Sequence, residues 1–219
     1  MCANSFLVVL TLTTVSDALT EALAQASAMN LWEGLAVVLA LAYLLFAMRG
    51  SLWCWPAAFF STLIYTVLFW EVSLLMESVL NGYYLLMALY GFWQWRYGGR
   101  GDGLSYQTWS ASTHVRLIGL TALTALGLGY VMDNYTHADL AYLDSATTCF
   151  AVVGTVMTAR KVVENWLYWV VIDLVSIYLY MSKGLVLTSG LFVIYVGLAL
   201  ASYFSWRSAY RTQGNAVAA

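Results

Sequence analysis

Seven long apolar runs, each ended by a short polar interval, follow one another between Leu31 and Trp206. A helix needs about 20 apolar residues to cross the hydrocarbon of a bilayer. The runs Leu31–Met48, Leu52–Trp70, Leu74–Trp95, Val115–Met132, Ala141–Thr158, Val162–Met181 and Leu185–Trp206 are of that order, so seven transmembrane helices are expected. Only the intervals flanking the fourth run exceed a few residues.

Basic residues test this count. If the intervals alternate sides, one side receives Arg49, Arg96, Arg100, Arg116, Arg160, Lys161, Arg207 and Arg211, and the other only Lys183. Positive residues gather on the cytoplasmic side, which places the N-terminus outside and the C-terminus in the cytoplasm. Adding or removing one span would scramble the split. The first thirty residues read either as a signal-like apolar segment, Phe6–Val15, or as a capped surface helix from Ser16 through Met29. The absence of a positively charged leader favours the surface helix.

Composition agrees with this class. Of 219 residues, 62% are hydrophobic and 9% charged, against roughly 25% charged in a soluble domain. The longest polar stretch, Arg96–Thr113, is too short to fold alone and carries no phosphate-binding glycine motif, which argues against an ATP-driven engine within the chain. Cys2, Cys54 and Cys149 lack metal-ligand spacing and read as small buried hydrophobes. His114 and His137 fall in polar connections. Neither a metal nor a cofactor is implied, no catalytic constellation marks an enzyme, and a net charge of −2 does not suggest a nucleic-acid partner.

Sliding the chain along itself until Arg49 meets Arg160 aligns its two ends without a gap. At that one offset Glu33 meets Asp144, Trp55 meets Trp166, Trp95 meets Trp206 and Arg96 meets Arg207. The expected architecture is therefore all-α and polytopic, two parallel three-helix repeats joined by a linker helix (3+1+3). Residues 1–30 form an N-terminal segment, 31–96 the first repeat, 97–140 the linker with its helix, 141–207 the second repeat, and 208–219 a cytoplasmic tail. Parallel three-span repeats are a transporter architecture with substrate near the midplane.

Candidate chemistry centres on Asp173, in the middle of the sixth run. A carboxylate at that depth costs roughly 2.5–3.5 kcal/mol on insertion scales and marks a functional site by default. Trp166 and Trp169 share its helical face at offsets of −7 and −4. Two indoles beside one negative charge suit a flat cation, since a cation over an indole gains about 0.5–2 kcal/mol. A buried carboxyl without a counter-charge can instead stay protonated, and a proton-coupled carrier using Asp173 is the alternative. Further candidates for substrate contact are Asn81 and Tyr84 on the face Glu77–Asn81–Tyr84–Ala88, Phe59 on the face Trp55–Phe59–Thr62, and Tyr195 on the face Thr188–Phe192–Tyr195. Asn81 serves equally well as interhelical glue. Tryptophans near span ends, namely Trp53, Trp55, Trp70, Trp93, Trp95 and Trp206, read as headgroup anchors. Glu33, Asp144 and Glu164, also near span ends, read as solvated or paired with loop arginines.

The run from Arg160 to Asp173 (RKVVENWLYWVVID) resembles the signature of the PnuC family of bacterial vitamin transporters: tryptophan, two residues, tryptophan, three residues, then asparagine or aspartate. The third-run ending Tyr90–Trp95 (YGFWQW) is similar to the family's pattern there. The resemblance spans about residues 31–210 and implies facilitated uptake of a B vitamin or precursor across the inner membrane, with a cytoplasmic vitamin kinase trapping the product. It carries over Trp166, Trp169 and Asp173 as substrate contacts. Nicotinamide riboside is the first expectation and thiamine the second; both are cationic heterocycles, and the aminopyrimidine of thiamine can pair with a carboxylate through two bonds. Membrane lipid surrounds such a chain, and assembly as a homo-oligomer is left open.

Overall fold

The computed structural model describes residues 31–71, 75–99, 103–136, 140–182 and 186–218. The side chains at 33, 68–71, 75–79, 186–188 and 216–218 lie outside that description, as do residues 1–30 and with them the proposed surface helix. The described residues form seven helices: α1 Leu31–Met48, α2 Cys54–Glu71, α3 Leu75–Tyr97, α4 Ala111–Tyr135, α5 Ala141–Ala159, α6 Asn165–Ser182 and α7 Val186–Ala218. Each apolar run became one helix. By length and composition α4 and the Ser189–Asn215 stretch of α7 can each cross a membrane, and Gly34–Met48 and Cys54–Val67 are shorter apolar helices.

Helix packing follows a closed circuit. Neighbours in sequence pack together, α1 on α2, α2 on α3, α5 on α6 and α6 on α7, and the circuit is completed by α3 on α5 and α1 on α7. Six helices thus form a ring. The fourth helix stands outside it, packed along α5. Ser110 starts α4 as its N-cap, accepting a hydrogen bond from the Thr113 amide at 3.3 Å.

The same local turn appears twice, at places related by the offset that aligns the two ends of the sequence. After α1, Gly50 takes φ +63° while its amide bonds Ala47 O at 2.9 Å and that of Ser51 bonds Phe46 O at 2.9 Å. After α5, Lys161 takes φ +51° while its amide bonds Thr158 O at 3.0 Å and that of Val162 bonds Met157 O at 3.0 Å. These are the paired bonds of a helix ended by a left-handed residue. The next helix then opens in the same way, Cys54 N to Ser51 O and Asn165 N to Val162 O, both at 3.1 Å. Pro56 stands in the first turn of α2, where a missing N–H costs nothing.

Several boundaries differ from the expectation. Val162 and Val163 are buried in the turn before α6 rather than helical, because Gln107 of the α3–α4 loop pairs with this segment. Gln107 donates its amide to Lys161 O at 3.0 Å and accepts that of Val163 at 2.9 Å. The last helix continues well past Trp206, to Ala218. His114, expected in a polar connection, lies in the first turn of α4.

Candidate functional site

The ring encloses a cavity of about 370 Å³ lined by α1, α2, α3, α5, α6 and α7. Among the described residues Asp173, 5% exposed, is the one carboxyl in its wall, and no lysine or arginine lines it. Trp166 and Trp169 lie on the same wall, as their helical spacing required. Two turns of helix, about 10 Å at 1.5 Å per residue, separate Trp166 in the first turn of α6 from Asp173.

Of the seven residues expected to contact substrate, Trp166, Trp169, Asp173, Tyr84 and Tyr195 line this cavity. Asn81 and Phe59 are not among the lining residues. Phe59 packs against the buried core and edge-on to Phe60, and Asn81, half-buried on α3, has an interaction of its own. Tyr43, Trp55, Thr62 and Thr155 also line the cavity although they were not expected to bind. The side chains of Glu77 and Thr188 lie outside the described set.

Lining residues fall into pairs related by the same sequence offset: Leu44 and Thr155, Trp55 and Trp166, Ala58 and Trp169, Thr62 and Asp173, Tyr84 and Tyr195, Ala88 and Ala199. Six such pairs around one cavity tie the alignment of the two ends to a single place in space.

Towards the turns at Gly50 and Lys161, four indoles pack together, two of which, Trp55 and Trp166, line the cavity. Trp55 meets Trp95 edge-on at 5.3 Å and 87°, and Trp166 meets Trp206 edge-on at 5.3 Å and 86°. Trp95 and Trp206 meet each other at 5.8 Å. Their N–H groups cross the ring: Trp95 donates to Thr158 O at 3.2 Å, and Trp206 donates to Ala47 O at 2.9 Å. Ala47 and Thr158 are another pair related by the offset. The expectation that Trp55, Trp95 and Trp206 anchor in headgroups is therefore wrong. They are 2%, 4% and 0% exposed, held inward by one another, whereas Trp53 and Trp93 do face outward.

Beneath the indoles, Tyr106 of the α3–α4 loop packs on Trp206 at 5.2 Å. Lys161 places its ammonium 4.6 Å from the Trp95 ring centroid and 5.1 Å from that of Tyr106. Burial holds the Lys161 ammonium below its ordinary pKa and raises the Tyr106 phenol. Two contacts shape the cavity wall. A Cβ at Gly91 would collide with the Trp55 ring, and one at Gly154 would stand 3.2 Å from Trp169. Asn165, fully buried, braces the start of α6 by accepting from the Thr158 hydroxyl at 2.9 Å and donating to Val162 O at 2.6 Å. Outside the ring, His114 Nδ1 lies 2.9 Å from the Tyr168 hydroxyl and His114 Nε2 3.9 Å from Glu164. Glu164 thus meets a histidine rather than a loop arginine.

Among the described residues, a ring of six helices thus surrounds one largely aromatic cavity with a single carboxyl in its wall. Residues 30–208 match the family model for the nicotinamide mononucleotide transporter. The chain belongs to this family, the PnuC family of vitamin transporters. It is 29% identical over 177 residues to the riboflavin/roseoflavin transporter RibM of Streptomyces davaonensis, covering 77% of this chain and 81% of that one. It is 29% identical over 98 residues to the nicotinamide riboside transporter PnuC of Escherichia coli, covering 45% and 41%. The crystal structure of the vitamin B3 transporter PnuC shares the fold, with a TM-score of 0.65 at 17% identity over 83% of this chain and 82% of that one.

Proposed function

We propose that the chain is a multi-pass carrier of the bacterial inner membrane for gradient-driven uptake of a B vitamin or its precursor, with nicotinamide riboside the first candidate. One observation carries the reading. Trp166, Trp169 and Asp173 line a single cavity that no described basic side chain lines. A cationic heterocycle there would stack on indole and replace the missing counter-charge of Asp173, so burial of the two charges becomes mutual.

Thiamine is the second reading, favoured by the carboxyl at 173, which can take two hydrogen bonds from an aminopyrimidine. Riboflavin enters the comparison because the RibM match extends over most of both chains. The 3+1+3 architecture belongs to the same reading. It is supported by the twin turns at Gly50 and Lys161, the crossed indole bonds and the six lining pairs. The positive-inside bias would put the indole cluster at the cytoplasmic end. Coupling to a cytoplasmic kinase that consumes the imported vitamin completes the proposal.

Purified protein is titrated with nicotinamide riboside, thiamine and riboflavin while tryptophan fluorescence is followed. One of the three quenches it, and Asp173→Ala weakens that binding about ten- to a hundredfold, the worth of a charge-assisted bond, without loss of fold. Binding unchanged in Asp173→Ala removes the aspartate from the site. Uptake into proteoliposomes with and without a protonophore separates the carrier from proton coupling: a rate that follows the pH gradient favours the second.

A further inference from the structure

The paired lining positions match in residue type at Trp55 and Trp166, Tyr84 and Tyr195, and Ala88 and Ala199, and they differ most in size at Ala58 and Trp169. The neighbouring helix answers that difference. In the second half Trp169 of α6 lies against Gly154 of α5, where even a Cβ would stand 3.2 Å from the indole. The same offset pairs Gly154 with Tyr43, and both Tyr43 and Ala58 line the cavity. Large and small have changed helices. One half sets a glycine on its first helix and an indole on its second; the other sets a phenol on its first helix and an alanine on its second.

We infer that Tyr43 is the aromatic counterwall to Trp169, and that the Tyr43–Ala58 pair decides which flat vitamin the cavity admits. The inference rests on the vitamin-carrier reading and adds to it a residue of the first half that lies outside both family-like runs. Volume is conserved because each half keeps one ring and one small residue at this level, which close packing requires. Chemistry is not conserved: an indole offers a strong cation-binding face and a phenol a weaker one with a hydroxyl. A solute is therefore oriented, its positive ring towards Trp169 and Asp173 and its remaining part towards Tyr43, Ala58 and Thr62.

The experiment pairs binding with stability in five variants, Tyr43→Gly alone among them to complete the cycle. Tyr43→Ala is expected to weaken vitamin binding about tenfold, and Tyr43→Phe, which keeps the ring, to stay within about twofold. Ala58→Trp alone places a second ring where Tyr43 already stands, so binding is lost and the melting temperature falls. The double variant Tyr43→Gly with Ala58→Trp rebuilds the second-half arrangement in the first half and recovers both. Wild-type affinity in Tyr43→Ala, or a double variant no better than Ala58→Trp, overturns the inference. If wild-type protein binds none of the three vitamins, the carrier reading falls, and the stability cycle still decides the exchange of rings. Melting penalties that simply add refute it, whereas rescue by Tyr43→Gly upholds it.

Discussion

Replacing Trp206 by phenylalanine tests whether the indole cluster holds the ring together. Trp206 is fully buried, touches Trp95, Tyr106 and Trp166 at 5.8, 5.2 and 5.3 Å, and donates to Ala47 O. Phenylalanine keeps a ring but loses the N–H and part of the contact area. The lost hydrogen bond is worth about 1 kcal/mol. Weakening three ring contacts, each about 0.5–1.5 kcal/mol when intact, adds about another 1–2 kcal/mol. The expected loss is about 2–3 kcal/mol. Trp95→Phe, with its bond to Thr158 O and its contacts to Trp55 and Trp206, should lose about 2 kcal/mol. The two rings touch, so the double variant should deviate from additivity by more than about 0.5 kcal/mol. Unfolding in detergent, followed by far-UV circular dichroism, measures all three. Trp93→Phe is the control, because Trp93 faces outward. If Trp206→Phe costs no more than Trp93→Phe, the cluster is not structural and the reasoning fails.

Other positions give sharper yes-or-no outcomes. Gly91→Ala drives a Cβ into the Trp55 ring, so it should lower both stability and vitamin binding; Gly190→Ala, with nothing within 4 Å, should change neither. Asn165→Leu strips two bonds from a buried polar site and should cost about 2–3 kcal/mol, read as a lowered melting temperature. Lys161 titrates below its ordinary 10.5 because burial disfavours its charge. The unfolded chain then binds more protons than the folded one between the lowered value and 10.5, so stability should rise with pH across that window. Lys161→Met should flatten that rise, and an unchanged slope in the melting profile would count against a buried ammonium.

Helix positions were legible because a bilayer-length apolar run leaves few alternatives, and α1 keeps the expected limits of Leu31–Met48. The Trp166–Trp169–Asp173 face was legible for a related reason: helical spacing alone puts the three on one side. End-of-span tryptophans misled, since amphipathic rings at that depth suit headgroups and a buried cluster equally. Only the partner across the ring distinguishes the two, and Ala47 and Thr158 carry no signal because they contribute backbone carbonyls. Asn81 and Phe59 were placed on plausible faces, but a helix face does not say how far a side chain reaches into the centre. Tyr43 went unnoticed as one more aromatic in an apolar run. The offset that aligns the two ends does set it opposite Gly154 while setting Ala58 opposite Trp169, a large-for-small exchange already written in the order of the residues.

The crossed indole bonds bear on how such a chain could be assembled from parts. On the repeat reading, each half lends one N–H and borrows one carbonyl, so a half alone would leave both groups buried and unanswered. Two identical halves facing each other across a twofold axis would answer both. A half of this kind is thus self-complementary, and the fusion of two copies into one polypeptide frees each to change independently. Divergence of the kind seen where Thr62 of one half corresponds to Asp173 of the other is open only to a chain whose halves no longer share one sequence.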